Sequence, residues 1–287
     1  MSQGVTSGIA LTVAAYLMFA LQDASVKWLV DDYPVVQILF VRSAVILVLC
    51  LACGPRGLAV KAVRSPIVKV MFVRTALLLG AWTAYFSAAR DLSLPELTTL
   101  YYLSPVLITT LAIPFLKERV TTIRWLSVLL GLAGVLVAVN PLTQGWRPDT
   151  ATALALLAAF LWAVSTLLLR KSAMGERTIV QMTVFSALLV AVTGAVSIGY
   201  WKPVSIGAAV LMILTGAFAA VGQLALFESF RRAPVSVLAP FEYSALVWAF
   251  ILGAAIWGDV PHANVFVGAG LIVIAGVVVV LFERKSA

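Results

Sequence analysis

The sequence predicts an all-α, polytopic membrane protein: ten transmembrane helices in two inverted five-helix repeats. Three observations carry that expectation. The chain of 287 residues is 62% apolar and 11% charged, against about 25% charged in ordinary soluble domains. Long, nearly charge-free stretches recur from end to end, and a run of roughly 18 or more such residues reads as a membrane span. The second half also repeats the pattern of the first. Ten helices of about 20 residues use about 200 positions, leaving about 87 for tails and short loops. A soluble enzyme, a nucleic-acid module and a disulfide-stapled secreted domain are excluded by the same arithmetic.

The spans are expected at 5–30, 35–53, 67–89, 95–115, 121–140, 150–169, 178–200, 205–230, 234–257 and 262–282. Met1 to Gly8 lacks the basic segment of a cleaved signal peptide, so the first stretch is retained as a span. Pro34, Pro66, Pro95, Pro141, Pro148, Pro203, Pro234 and Pro261 fall in the gaps or at helix starts, where a missing N–H is tolerated. Cys50 and Cys53 form a C-x-x-C spacing at the apolar end of a span. One such pair cannot supply four ligands to zinc, so no metal site is expected. No soluble domain is inserted between spans.

A net charge of +8 invites a phosphate-binding reading. In a membrane protein it reads instead as topology, because lysine and arginine collect on the cytoplasmic side. With the N-terminus inside, fourteen of the 20 basic residues fall inside: Arg56, Lys61, Arg64, Lys69, Lys117, Arg119, Arg124, Arg170, Lys171, Arg177, Arg231, Arg232, Arg284 and Lys285. Lys27, Arg90, Arg147 and Lys202 fall outside, and Arg42 and Arg74 lie within spans. The expectation is a cell inner membrane with both termini cytoplasmic.

Residues 1–141 and 149–287 form the two repeats. At a constant offset of 141, residues 84–118 and 225–259 share Ala84/Ala225, Phe86/Phe227, Arg90/Arg231, Leu97/Leu238, Tyr102/Tyr243, Val106/Val247 and Leu111/Leu252, closing with Glu118 against Asp259. In the first spans Ala14, Ala15, Tyr16, Leu17 and Lys27 sit opposite Ala158, Ala159, Phe160, Leu161 and Lys171. An odd number of spans separates the copies, so equivalent helices run in opposite directions. Secondary transporters are often built this way, with the substrate site between the repeats near mid-membrane.

The stretch from Tyr102-Leu-Ser-Pro through Pro114-Phe-Leu-Lys-Glu118-Arg119-Val120-Thr121 resembles the end of the fourth helix in the EamA family of the drug/metabolite transporter superfamily. Ala239-Pro-Phe-Glu-Tyr-Ser through Gly253, running to Trp257-Gly258-Asp259-Val260-Pro261, is similar to the matching signature of the second half. The small-residue runs around Gly131/Gly134 and Gly268/Gly276 fit the fifth and tenth helices. The resemblance covers essentially the whole chain and implies an exporter or exchanger of small organic solutes, amino acids or related metabolites above all, with a central cavity lined by both halves. The first helix departs from the family pattern: Met18-Phe19 stands where an aromatic-Gly pair is frequent, and Asp23 lies near its outer end.

An ionisable group inside a span is a functional candidate, because burying it costs about 2.5–3.5 kcal/mol on insertion scales. Glu242 lies eight residues past Pro234, roughly 12 Å into its helix. Its repeat equivalent is Tyr101, so symmetry breaks at this point. A carboxylate there suits proton coupling or cation binding; the alternative is a structural partner for Arg42 or Arg74. Those arginines can fork onto a substrate carboxylate, or equally lock helices together or snorkel. Asp23 and Lys27, one turn apart, suit a local ion pair.

Aromatic stripes complete the candidate cavity: Tyr16 and Phe19 with Asp23, Trp82, Tyr85 and Phe86, Tyr101 and Tyr102 with Thr98 and Pro105, Trp162 with Ser165 and Thr166, Gln223 with Phe227, and Tyr243 beside Glu242. Such rings offer flat apolar walls with polar handles for a zwitterionic or cationic solute; helix packing explains them equally well. Trp146, Tyr200, Trp201 and Trp257, near span ends, read as interfacial belts. Pro105, Pro114 and Pro240 interrupt their helices, as kinks for gating or as tolerated breaks.

The expected function is secondary transport, by export or exchange, around this cavity. The alternative is a proton-independent facilitator or channel-like permease for a cationic metabolite or drug. An intramembrane enzyme is disfavoured, since the single histidine, His262, adjoins Pro261 in a loop and neither H-E-x-x-H nor G-x-S-x-G occurs. No G-x-x-x-x-G-K-[ST] loop is present, so no nucleotide cofactor is expected. The expected partners are a small-molecule substrate and membrane lipids, not nucleic acid.

Overall fold

The computed structural model describes residues 3–30, 32–88, 91–92, 97, 100–139, 149–173, 175–258 and 263–285. The expectations placed on Arg90, Pro95, Thr98, Pro141, Trp146, Arg147, Pro148, Asp259, Pro261 and His262 lie outside these residues, as does the side chain of Phe86. Every regular element is helical. In order they are α1 (Gln3–Leu29), α2 (Val35–Cys53), α3 (Leu58–Arg64), α4 (Val68–Ala88), α5 (Ser104–Leu116), α6 (Thr122–Val139), α7 (Thr150–Ala173), α8 (Thr178–Ser197), α9 (Ile206–Arg232), α10 (Val235–Leu238), α11 (Ser244–Leu252) and α12 (Ala263–Lys285). A 3₁₀ turn over Ala239–Tyr243 joins α10 to α11, and a π turn over Gly253–Trp257 follows.

Nine helical segments among the described residues are long and apolar enough to cross a membrane, the broken segment Val235–Trp257 included; α5 is a shorter apolar helix. A helix can do this in apolar surroundings because it satisfies its backbone groups internally. The helices carry apolar side chains all round: Phe72, Phe115, Ile206 and Phe266 point outward, as lipid-facing residues do. Inside, small and hydroxylated residues let helices approach. Thr12, Thr75, Thr109 and Thr193 each donate to the carbonyl four residues earlier, which satisfies the buried hydroxyl without a second helix. Pro34 and Pro234 stand at the N-caps of α2 and α10, and Pro105 occupies the first turn of α5. Asp149 caps α7 by accepting from the Thr152 N–H at 2.8 Å.

The largest contacts all run between the two halves, and they obey a symmetry. The helix α1 packs on α9 as α4 packs on α7, and α5 packs on α7 as α11 packs on α1. The pairs α2 with α8 and α6 with α12 map onto themselves when the halves are exchanged. One expected equivalence does not hold in detail. Tyr16 is buried, whereas Phe160 opposite it is 44% exposed, so those two positions face different surroundings.

The glycines of α6 and α12 set the closest crossing. A Cβ on Gly134 would lie 2.7 Å from the Gly268 carbonyl oxygen and 2.9 Å from Ile272 Cγ1. The small-residue runs therefore do what such runs do in membranes, bringing backbones into van der Waals contact.

One end of the bundle is laced shut. Glu118, just past α5, accepts from the N–H groups of Val235 (2.9 Å) and Ser236 (3.0 Å) and from the Ser236 hydroxyl (2.6 Å). Arg124 donates to the same hydroxyl, Arg232 to Ser7, and Arg231 to the Glu176 carbonyl. Glu176 also accepts from Ser65 at 2.9 Å and pairs with Lys61 at 3.5 Å. At the opposite end residues 32–37 and 202–205 join through Gln37, Lys202 and Tyr33.

Candidate functional site

Between the halves lies a cavity of about 940 Å³ that reaches the second end, where Lys27, Val35 and Trp257 form its mouth. Its depth is set by the break in the ninth span. Pro240 has no N–H to continue the helix of α10, and the chain passes through a 3₁₀ turn before α11 resumes. Glu242 sits on that turn, 5% exposed.

The Glu242 carboxylate is held by three neutral donors from three different helices. Ser104 Oγ donates to Oε1 at 2.6 Å and Trp162 Nε1 to Oε1 at 3.0 Å, while Tyr16 OH donates to Oε2 at 3.2 Å. The arginine partnership considered for it does not form: the ion pairs among the described residues are Lys61–Glu176, Arg231–Glu228 and Arg232–Glu228. Behind Glu242, toward the laced end, is a void of about 10 Å³ bounded by Thr12, Thr166 and apolar side chains.

Rings pave the approach. Tyr101, the repeat counterpart of Glu242, stands 5.1 Å from Tyr85, 6.3 Å from Tyr102 and 6.4 Å from Trp162, centroid to centroid. Tyr16 meets Phe19 edge-on at 6.0 Å. These residues, with Trp82, Asp23, Arg42, Arg74, Gln223 and Phe227, all line the cavity.

Arg74 lies over the ring of Phe185 at 4.4 Å and that of Phe227 at 5.2 Å. Its Nε and Nη1 are buried without a hydrogen-bond partner, as are Arg42 Nε and Gln223 Oε1. Arg42 at least feels the charge of Asp23. Snorkelling is excluded for both arginines by their burial, at 8% and 5% exposure for Arg42 and Arg74.

Several expectations are corrected. Tyr243 does not reach the cavity; it is fully buried, its ring 6.0 Å from Tyr102 and pressed against Gly131. A 3₁₀ turn advances about 120° per residue, so the neighbour of an inward carboxylate points elsewhere. Asp23 and Lys27 do not pair with each other. Asp23 accepts from Gln22 Nε2 at 2.9 Å, and Lys27 Nζ sits 4.1 Å above the Trp257 ring. Trp257 accordingly also lines the cavity, 5.2 Å from Trp28.

Ser104 and Phe185 are contacts that sequence reasoning did not single out. Ser104 could have been found one turn after Tyr101 on the same face. Phe185 carried no signal beyond being apolar within a span.

Comparison with known proteins agrees with this architecture. The model of the EamA-like transporter family matches residues 6–140 and again 150–282. The pseudopaline exporter CntI of Pseudomonas aeruginosa is 27% identical over 274 residues, covering 94% of each chain. An S-adenosylmethionine uptake transporter of Rickettsia bellii is 24% identical over 199 residues, covering 68% of this chain and 67% of its own. A solved crystal structure superposes with a TM-score of 0.80 over 99% of both chains at 21% identity, a likeness of fold. The family match spans both halves and fixes the assignment: the chain belongs to the EamA-like transporter family, a multi-pass membrane protein of small-solute transport.

Proposed function

We propose that the protein is a secondary transporter that exports or exchanges amino acids or related metabolites by alternating access around the central cavity. It does so in a cell inner membrane with both termini cytoplasmic. The observation that carries this reading is Glu242: a buried carboxylate held by Ser104, Trp162 and Tyr16 with no basic partner among the described residues. Three neutral donors orient the group without neutralising it, which leaves the charge for a proton or a cationic group of the solute. The binding residues are Glu242, Tyr16, Phe19, Asp23, Arg42, Arg74, Trp82, Tyr85, Tyr101, Tyr102, Trp162, Gln223 and Phe227, all on the cavity wall.

The laced end carries most of the lysines and arginines, which supports placing it in the cytoplasm. The cavity then faces outward in this conformation. Export is favoured over uptake because a relative matched over nearly the whole chain, CntI, is named an exporter.

Counterflow in proteoliposomes tests the proposal. Vesicles are loaded with unlabelled amino acids, amines or other metabolites and challenged with the labelled counterpart. Trans-accumulation of one class is the expected result. Unitary currents in a planar bilayer would replace this reading with the channel-like one.

A further inference from the structure

The cavity holds a second charged pole that Glu242 does not account for. Arg74 is 5% exposed, lines the cavity, and has neither a hydrogen bond nor an ion pair with any described residue. Phe185 and Phe227 meet the guanidinium with their rings. Ring faces attract the cation but accept none of its in-plane N–H groups, which require oxygen. Arg42 differs in having Asp23 on the same cavity wall within electrostatic reach, although the two form no ion pair. One turn before Phe227 on α9, Gln223 also lines the cavity, and its Oε1, shielded from solvent, has no partner. Buried polar groups in a finished core find partners; here a donor and an acceptor among the cavity-lining residues both lack them.

We propose that Arg74 is the carboxylate-binding residue of the transport cavity. The solute is then amphoteric: its carboxylate rests on Arg74, a donor group reaches Gln223, and its cationic nitrogen lies toward Glu242 and the Tyr101–Trp162 rings. The inference rests on the small-solute reading above and adds to it the placement of the two charges. Glu242 contacts α1, α5 and α7, whereas Arg74 rests on α8 and α9. No hydrogen bond or ion pair among the described residues joins the two poles, and one solute carrying both charges satisfies both.

The test uses the purified full chain and three triads built on phenylalanine, leucine and methionine. Each triad comprises the amino acid, the amine lacking its carboxylate and the acid lacking its ammonium group. Binding is read from the ligand-dependent rise in unfolding temperature. In at least one triad the amino acid should bind ten-fold or more tightly than its amine. Arg74→Gln should weaken the amino acid and the acid at least ten-fold while moving the amine less than two-fold. Arg74→Lys should retain part of the preference.

Equal binding of amine and amino acid in every triad overturns the proposal, and so does an Arg74→Gln protein that still prefers the carboxylate. If that variant does not fold, the wild-type triads decide alone. If no triad binds, the amphoteric class is overturned, while counterflow of another solute in the same preparation would leave the transport reading standing.

Discussion

At the scale of single residues, the site is an arrangement of unequal partners around one carboxylate. Ser104, Trp162 and Tyr16 all donate to Glu242, so replacing it by glutamine removes the charge and also sets an NH₂ group against donors. Glu242→Gln should reduce flux at least ten-fold, with expression and folding intact, in the counterflow assay; normal flux at every pH would make the carboxylate structural. Trp162→Phe keeps the ring against Tyr101 but deletes one donor, a charge-assisted hydrogen bond of about 1.5–3 kcal/mol. It should weaken binding of a cationic solute by roughly ten-fold or more if the bond orients the carboxylate. An affinity unchanged in a titration would assign that role to Ser104 and Tyr16 alone. Glu242 was legible in the sequence as a lone acid within a span. Tyr16 and Trp162 were legible as cavity aromatics, but their bonds to Glu242, and Ser104 altogether, were not, because the three come from different helices and only the fold brings them together.

At the scale of elements, hydropathy located the helices because a bilayer leaves the backbone few alternatives. What it missed were departures from regular helix. The seven-residue α3 is too short and too basic to register. The turn at Pro240 was legible as an interruption, but not as the 3₁₀ geometry that sends Glu242 inward and Tyr243 against Gly131. Asp23 and Lys27 were paired by spacing alone, and the structure gives each a nearer attraction, Gln22 for one and the Trp257 ring for the other. The Gly134–Gly268 crossing was legible as small-residue runs, and its tightness makes it testable. Gly134→Val places side-chain carbon where the Gly268 carbonyl oxygen and Ile272 already stand. Overpacking of this kind costs about 1–3 kcal/mol, so the unfolding temperature should fall; a variant as stable as the parent would mean that α6 and α12 separate freely.

At the scale of the whole molecule, the symmetric pairing of helices meets an asymmetric distribution of bonds: one end is laced and the other admits the cavity. Alternating access requires the laced end to part. Two carboxylates hold much of it. Glu176 is kept below the usual carboxylate range, first by the Arg177 N–H, which outweighs the opposing effect of burial, and then by the Ser65 hydroxyl and Lys61. A depressed value in the folded state means that its contribution is present above the unfolded value of about 4.3 and is lost as pH falls below it. Acid should therefore loosen this end, and neutral pH should not. Glu118 is the stronger clamp, because its three bonds tie the end of α5 in the first half to the start of α10 in the second. Glu118→Ala leaves two N–H groups and a hydroxyl at that helix start without their acceptor, and the closed arrangement loses its main bond between the halves there. The readout is a cysteine at Thr166, beside the void behind Glu242, in a Cys53→Ser background, since Cys53 is the exposed native thiol. With Glu118 intact, a membrane-impermeant maleimide applied from the laced side should react slowly with T166C. Glu118→Ala should raise that rate several-fold while lowering labelling from the other side. Unchanged rates from both sides would place the barrier to opening in the packing of α1 on α9 and α4 on α7, not in the polar clasp.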